Sequence, residues 1–152
     1  MKKQLLLFVF LALLTSCDKE NDEQSQREAF FRQGWKLTEM KINGTDQNIS
    51  ERTIPELMFF TENNLCYLAE PVAENGGWKY QDARTAWNYD YDNSILNIAV
   101  SLPVTYHVDA IDSDRLVIHY YVYNDSGDLD TVEKGFIPAR IKIDDLKLRL
   151  AE

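Results

Sequence analysis

Apolar and polar positions divide the chain into three stretches. Leu5 to Leu14 is an unbroken apolar run behind Lys2 and Lys3. Asp18 to Gln26 (DKENDEQSQ) contains no apolar residue at all. From Arg27 onward, short runs of alternating apolar and polar residues are separated by turn chemistry. The turns fall at Asn43-Gly44, Glu62-Asn63-Asn64, Asn75-Gly76-Gly77, Asp92-Asn93-Ser94, Asp112-Ser113-Asp114 and Asn124 to Asp128. Alternation with a period of two marks strands with one buried face, and Asn, Asp and Gly supply the backbone conformations that turns require. The pattern predicts strands at 34–42, 56–61, 65–70, 78–82, 85–91, 95–101, 104–111, 115–123 and 129–139. In 104–111, Val104, Tyr106, Val108 and Ala110 share a face; in 115–123, Leu116, Ile118, Tyr120 and Val122 do. Arg27 to Gln33 predicts a single helical turn closing one end, and Lys142 to Leu150 a last strand, a hairpin or a short helix, with the strand favoured.

Short strands joined by tight turns make an antiparallel meander, which builds a sandwich or a barrel. An open meander leaves two edges able to pair with other chains, and closure removes both. The expected fold is therefore all-β, an antiparallel meander closing into a small barrel of eight or nine strands over residues 27–152.

The N-terminus has a basic start, ten apolar residues and then Thr15-Ser16, the plan of a signal peptide over 1–16. Ten residues are too few to cross a bilayer core of about 30 Å as a helix. Leu14-Thr15-Ser16-Cys17 resembles the lipobox of bacterial lipoproteins. That resemblance implies that Cys17 is acylated, with palmitate or similar chains, and tethers the protein to a membrane of the cell envelope. Residues 17–26 then form a lipidated flexible tether, because a stretch this polar buries nothing. The tract also looks like the acidic segment that some Gram-negative lineages place after the cysteine for export to the surface. In other lineages an Asp at that position retains the lipoprotein in the inner membrane. The outer membrane is the favoured location, with the leaflet left open.

Gly34-Trp35-Lys36-Leu37-Thr38 resembles the first strand of bacterial lipocalin-like lipoproteins. Leu57-Met58-Phe59-Phe60 before the Asn63-Asn64 turn, Trp87-Asn88-Tyr89-Asp90-Tyr91, Ile95-Leu96-Asn97-Ile98, Tyr106-His107-Val108 and Arg115-Leu116-Val117-Ile118 follow the same layout. Animal lipocalins carry Gly-x-Trp, whereas Gly34 and Trp35 are adjacent here. The resemblance implies a basic residue packed on the Trp35 face. Arg140 is the candidate, for a cation–π contact of about 0.5–2 kcal/mol.

The net charge of the 152 residues is −9; loss of Lys2 and Lys3 with the leader leaves 14 basic against 25 acidic residues, or −11. Such a surface repels phosphate backbones and argues against nucleic-acid binding. With Cys17 acylated, Cys66 has no disulfide partner within the chain. Its place in Leu65-Cys66-Tyr67-Leu68 predicts an inert buried thiol. Nucleotide, zinc and serine-hydrolase motifs are absent, so no cofactor and no enzymatic activity are expected. His107 and His119 fall on the polar phase of their strands and read as surface or half-buried histidines. The acidic turns Asp109-x-x-Asp112-x-Asp114 and Asp125-x-x-Asp128-x-Asp130 could suggest calcium. Position twelve counted from Asp125 is Phe136 rather than Glu, so solvated turn chemistry explains them and no metal is assigned.

The remaining signal is aromatic. Trp78, Tyr80, Trp87, Tyr89, Tyr91, Tyr106 and Tyr120 are candidates for a wall that binds a small apolar or carbohydrate ligand, since rings with polar tips suit a partly wet pocket. Cross-strand packing is the plainer explanation of the same rings. Two functions follow: a lipid-anchored binding module, or a non-enzymatic scaffold whose filled barrel meets a protein partner.

Overall fold

Alternating segments fold as strands in the computed structural model, which describes residues 22–49, 57–72, 77–80, 85–99 and 104–139. The strands are β1 Gly34–Ile42, β2 Thr45–Asp46, β3 Leu57–Phe60, β4 Leu65–Val72, β5 Gly77–Tyr80, β6 Thr85–Asp90, β7 Ile95–Ile98, β8 Val104–Ile111, β9 Leu116–Tyr123 and β10 Leu129–Ala139. Three of the expected spans, those of β1, β8 and β10, coincide with the strands; the others shift at their ends. β2 was not anticipated, although the Asn43-Gly44 pair that creates its hairpin was. The expected last strand over 142–150 lies outside the described residues, as do Cys17 and Arg140.

Eight strands form a ring. β1, β3, β4, β6, β7, β8, β9 and β10 each pair antiparallel with the next, and β10 returns to β1 from Gly34↔Ala139 to Ile42↔Val132. This pairing settles barrel against sandwich, and no edge is left in the ring. β2 folds back on the end of β1, and β5 pairs with β4 outside the ring. A register shift between Leu37 and Glu39 makes a bulge in β1. It keeps Leu37, Met40 and Ile42 on the inner face although their spacing is uneven.

The turns carry the strain that the sequence advertised. Asn43, Asn64 and Ser94 have φ of 51°, 62° and 54°, and Gly44 and Gly127 have φ of 77° and 84°. Asn43 also ties its hairpin to β10: its N–H donates to the Thr131 carbonyl, and its Oδ1 accepts the Thr131 N–H.

A helix, α1, runs over 22–31 and so begins inside the segment read as a tether. Glu, Gln, Arg and Ala are good helix formers. Gln24 and Arg32 bond to Glu28 one turn away at 3.0 and 2.9 Å. Those exposed pairs contribute little. The anchor is Phe30, fully buried in the barrel end, with Phe31 packed beside it. No helix among the described residues is long and apolar enough to cross a membrane.

A second, smaller apolar cluster lies on the outer face of β3 and β4: Leu57, Phe59, Tyr67 and Ala69. Gly34 of β1 sits opposite Phe59, whose ring crosses the space a side chain at 34 would fill.

Candidate functional site

Cross-strand register decides which residues look into the barrel, because directly opposed residues share a face. Trp35 opposes Met58 and Pro138; Leu37 opposes Phe136; Met40 opposes Lys134; Ile42 opposes Val132. The same row logic brings Trp87, Tyr89, Leu96, Ile98, Val104, Tyr106, Val108, Leu116, Ile118 and Tyr120 inward.

The two ends of this interior differ. At the α1 end it is solid. Phe30 packs edge-on against Phe60 at 5.3 Å and contacts Trp87 and Tyr89 at 5.5 and 5.0 Å between ring centres. Trp87 in turn meets Phe60 at 5.0 Å. Trp35, Phe60, Cys66, Trp87, Leu96, Leu116 and Phe136 are all at most 4% exposed. Two indole N–H groups find carbonyls here: Trp35 Nε1 donates to Phe30 O at 3.2 Å, and Trp87 Nε1 to Thr61 O at 3.1 Å. The first bond joins β1 to the last turn of α1 and satisfies a helix-end carbonyl. Burial pushes the Cys66 thiol far above its usual range, so it stays protonated and unreactive.

Toward the opposite end Ile98 and Val132 are buried, but other inward residues stay partly exposed. Met40, Ile42, Leu68, Val104, Tyr106 and Tyr120 are half-buried. Tyr106 and Tyr120 are opposed on β8 and β9 and make an edge-to-face pair at 5.3 Å. Between this open half and the sealed layer lies Lys134, on the inner face of β10 and only 6% exposed. Its Nζ stands 5.3 Å from the centre of the Tyr120 ring, within cation–π range. The register sets it between Met40 of β1 and Ile118 of β9.

The candidate aromatics therefore divide. Tyr106 and Tyr120 come together on the open wall. Trp87 and Tyr89 belong to the sealed end, where the Tyr89 hydroxyl donates to Gln26 of α1 at 3.3 Å. Tyr91 leaves the barrel and packs on Tyr89 at 4.6 Å. Burial raises both of these phenols above the ordinary tyrosine range. Trp78 and Tyr80 lie on β5, whose backbone pairs Pro71 and Ala69 of β4 beside the ring. Lys134 was missed by the sequence reading. The available signal was a charge on the apolar phase of β10, between Val132 and Phe136.

His107 and His119 are opposed on the outer faces of β8 and β9 and stack at 4.8 Å with 12° between rings. His119 Nδ1 lies 2.7 Å from Asp109 Oδ2, and Tyr121 packs edge-on to both imidazoles. Among the described residues no group of three His, Cys, Asp or Glu has a geometry for metal. The acidic turns spend their oxygens locally. Asp112 Oδ1 accepts the N–H groups of Asp114 and Arg115, and Asp130 Oδ1 accepts from Asn43 and Asn124. At the tip of β9 and β10, by the open end, Tyr121, Tyr123 and Leu129 are 53%, 74% and 54% exposed.

No family model matches the chain, and none of the curated proteins does. Solved structures are similar in strand layout. Bovine odorant-binding protein in complex with undecanal is 14% identical over 77% of this chain and 76% of that one, with a TM-score of 0.43. A bovine lipocalin allergen is 8% identical over 82% and 83%, with a TM-score of 0.47. Aphrodisin, a sex pheromone from female hamster, is 6% identical over 80% and 84%, with a TM-score of 0.42. At these values the likeness says nothing of what this barrel holds.

Proposed function

We propose that the chain is a carrier rather than a catalyst, holding a small apolar or glycan ligand in the open half of its barrel. The observation that carries this reading is the contrast between the two ends. A barrel built only to be stable would fill both, because each half-exposed apolar side chain forgoes burial worth about 25 cal/mol per Å². Here Phe30, Phe60, Trp87 and Phe136 toward the α1 end are at most 4% exposed, while Met40, Leu68 and Tyr106 face inward and are only half-buried. Apolar walls with a few tyrosine hydroxyls suit an apolar molecule or the faces of a sugar.

We propose further that the protein is carried on lipid at Cys17 in the cell envelope, with the outer membrane favoured. The support is the run Leu14-Thr15-Ser16-Cys17 directly behind ten apolar residues. Two or three acyl chains, at about 0.8 kcal/mol per buried CH₂, give nearly permanent anchoring.

The test is native mass spectrometry of the protein purified from its own membranes, followed by a thermal-shift panel of fatty acids, alcohols and oligosaccharides. A retained small molecule, or a ligand that raises the melting temperature, supports the reading. A bare mass and no shift from any probe overturn it. In that outcome the exposed Tyr121, Tyr123 and Leu129 favour the second reading, a scaffold that meets a protein partner.

A further inference from the structure

We propose that His107 and His119 form a two-imidazole chelate on the outer wall of the barrel, for a divalent transition ion of the copper, nickel and zinc group. The site is separate from the barrel interior and stands on different observations.

Cross-strand register makes the pair. His107 of β8 and His119 of β9 are directly opposed, and their rings stack at 4.8 Å with 12° between planes. Both are half-buried, so the rings are shielded yet reachable. The ladder then slips by one residue. Val108 opposes Ile118 and Ala110 opposes Val117, which leaves Asp109 as the extra residue of a bulge. A bulge re-aims a side chain, and here the Asp109 carboxylate meets His119, with Oδ2 2.7 Å from Nδ1. A carboxylate only accepts, so Nδ1 of a neutral His119 carries the proton and Nε2 keeps its lone pair. Such a carboxylate fixes the orientation of a ligating imidazole and raises its basicity.

His107 supplies the second nitrogen. Among the described residues neither of its nitrogens has a hydrogen bond, so its ring turns at little cost. An ion held at about 2.0–2.1 Å by each of two nitrogens needs them no more than roughly 4 Å apart. Ring centres 4.8 Å apart lie just beyond that span, and a tilt of His107 toward its neighbour closes it. Tyr121 stands beside the pair. Its ring meets the two imidazoles edge-on at 5.9 and 5.5 Å, and its hydroxyl is 3.5 Å from His119 Nε2. A contact that long is weak enough for an ion to displace. The hydroxyl is then placed to bond a water on the ion. No third His, Cys, Asp or Glu among the described residues joins the pair, so water completes the shell.

The donors select the ion. Imidazole suits copper, nickel and zinc, whereas magnesium and calcium take oxygen ligands. Copper(II) binds most tightly of these at a given nitrogen site. The net charge of −9 draws cations toward the wall.

The experiment titrates Cu²⁺ into the full chain in phosphatidylcholine nanodiscs, with empty discs as baseline and excess Mg²⁺ present throughout. One ion per chain is expected, with pulsed EPR resolving the nitrogens of two imidazoles. Asp109→Ala is expected to weaken binding by about tenfold, as the loss of an orienting partner does, and to keep both imidazoles in the spectrum. His107→Ala and His119→Ala are each expected to weaken it further than that and to leave a single imidazole. Ni²⁺ and Zn²⁺ are expected to bind through the same two residues, less tightly. Equal Cu²⁺ affinity in the unaltered chain and in a chain carrying both histidine substitutions overturns the site. So does a single imidazole in the spectrum of the unaltered chain. Uptake that excess Mg²⁺ abolishes also overturns it, because carboxylates are then the ligands. If His119→Ala loses its thermal transition, His107→Ala and the spectrum of the unaltered chain still decide.

Discussion

Single positions show how tightly the ring is specified. A Cβ on Gly34 would sit 2.7 Å from Cζ of Phe59, inside the ring's van der Waals envelope. Glycine is there to let an aromatic ring cross a neighbouring strand, not to make a turn. Gly34→Ala is expected to lower stability by about 1–3 kcal/mol in urea unfolding, the range for an overfilled site. Adding Phe59→Leu should recover part of that loss. Cys66 gives a prediction in pH. Its thiol stays protonated in the folded barrel and ionises in the unfolded chain above about 8.5. The folded state then binds more protons, so stability is fully present below that pH and falls as pH rises. The slope is about 1.4 kcal/mol per unit well above it. Cys66→Ala should remove the part of this slope that sets in near pH 8.5, leaving the loss above about pH 10 that the buried phenols of Tyr89 and Tyr91 impose, whatever its constant cost in packing.

At the scale of elements, α1 is the piece that gives the barrel two unlike ends. Its surface pairs are dispensable: Arg32→Ala, which breaks the 2.9 Å bridge to Glu28, should change stability by less than about 0.5 kcal/mol. Phe30→Ala should cost about 3–5 kcal/mol, as expected for a buried aromatic. It should also bring the amides of 22–31 to solvent-like hydrogen exchange while β1 and β10 stay protected. The strands were largely legible because alternation and turn residues reinforce each other, as at Asn43-Gly44 and Asn124 to Gly127. Of the helix, a turn within Arg27 to Gln33 was legible and its start was not, because Asp22 to Gln26 is wholly polar and the helix is held by Phe30 docking in the barrel end. Two-residue β2 carried too little sequence to be seen except through its turn.

For the whole molecule, closure through β1 and β10 was foreseeable from the penalty on open edges. Which interior face is full and which is accessible was not. Trp87 and Tyr106 have the same alternation in sequence, yet one is sealed by α1 and the other lines the open half. Lys134 was hidden for a related reason, since a lysine in a strand reads as solvent-facing until the bulge at Leu37–Glu39 and the register fix the phase. The proposed lipid on Cys17 carries an orientation with it: Cys17 lies five positions before the first described residue of α1, at most about 18 Å of chain, so an acylated Cys17 would set the α1 end next to the bilayer. Cys17→Ser should abolish fatty-acid labelling of the protein and its recovery with the membrane fraction.

If one half of the barrel is solid and the other takes a ligand, its two internal methionines report on the two halves. Met58 is 3% exposed beside Trp35, and Met40 is half-buried opposite Lys134. Methyl NMR of the methionine-labelled chain, titrated with the ligand it retains or with decanoate, should move the Met40 resonance and leave Met58 nearly still. A saturable shift of Met58 with Met40 unmoved, or binding that disturbs neither, would place the ligand outside the open half.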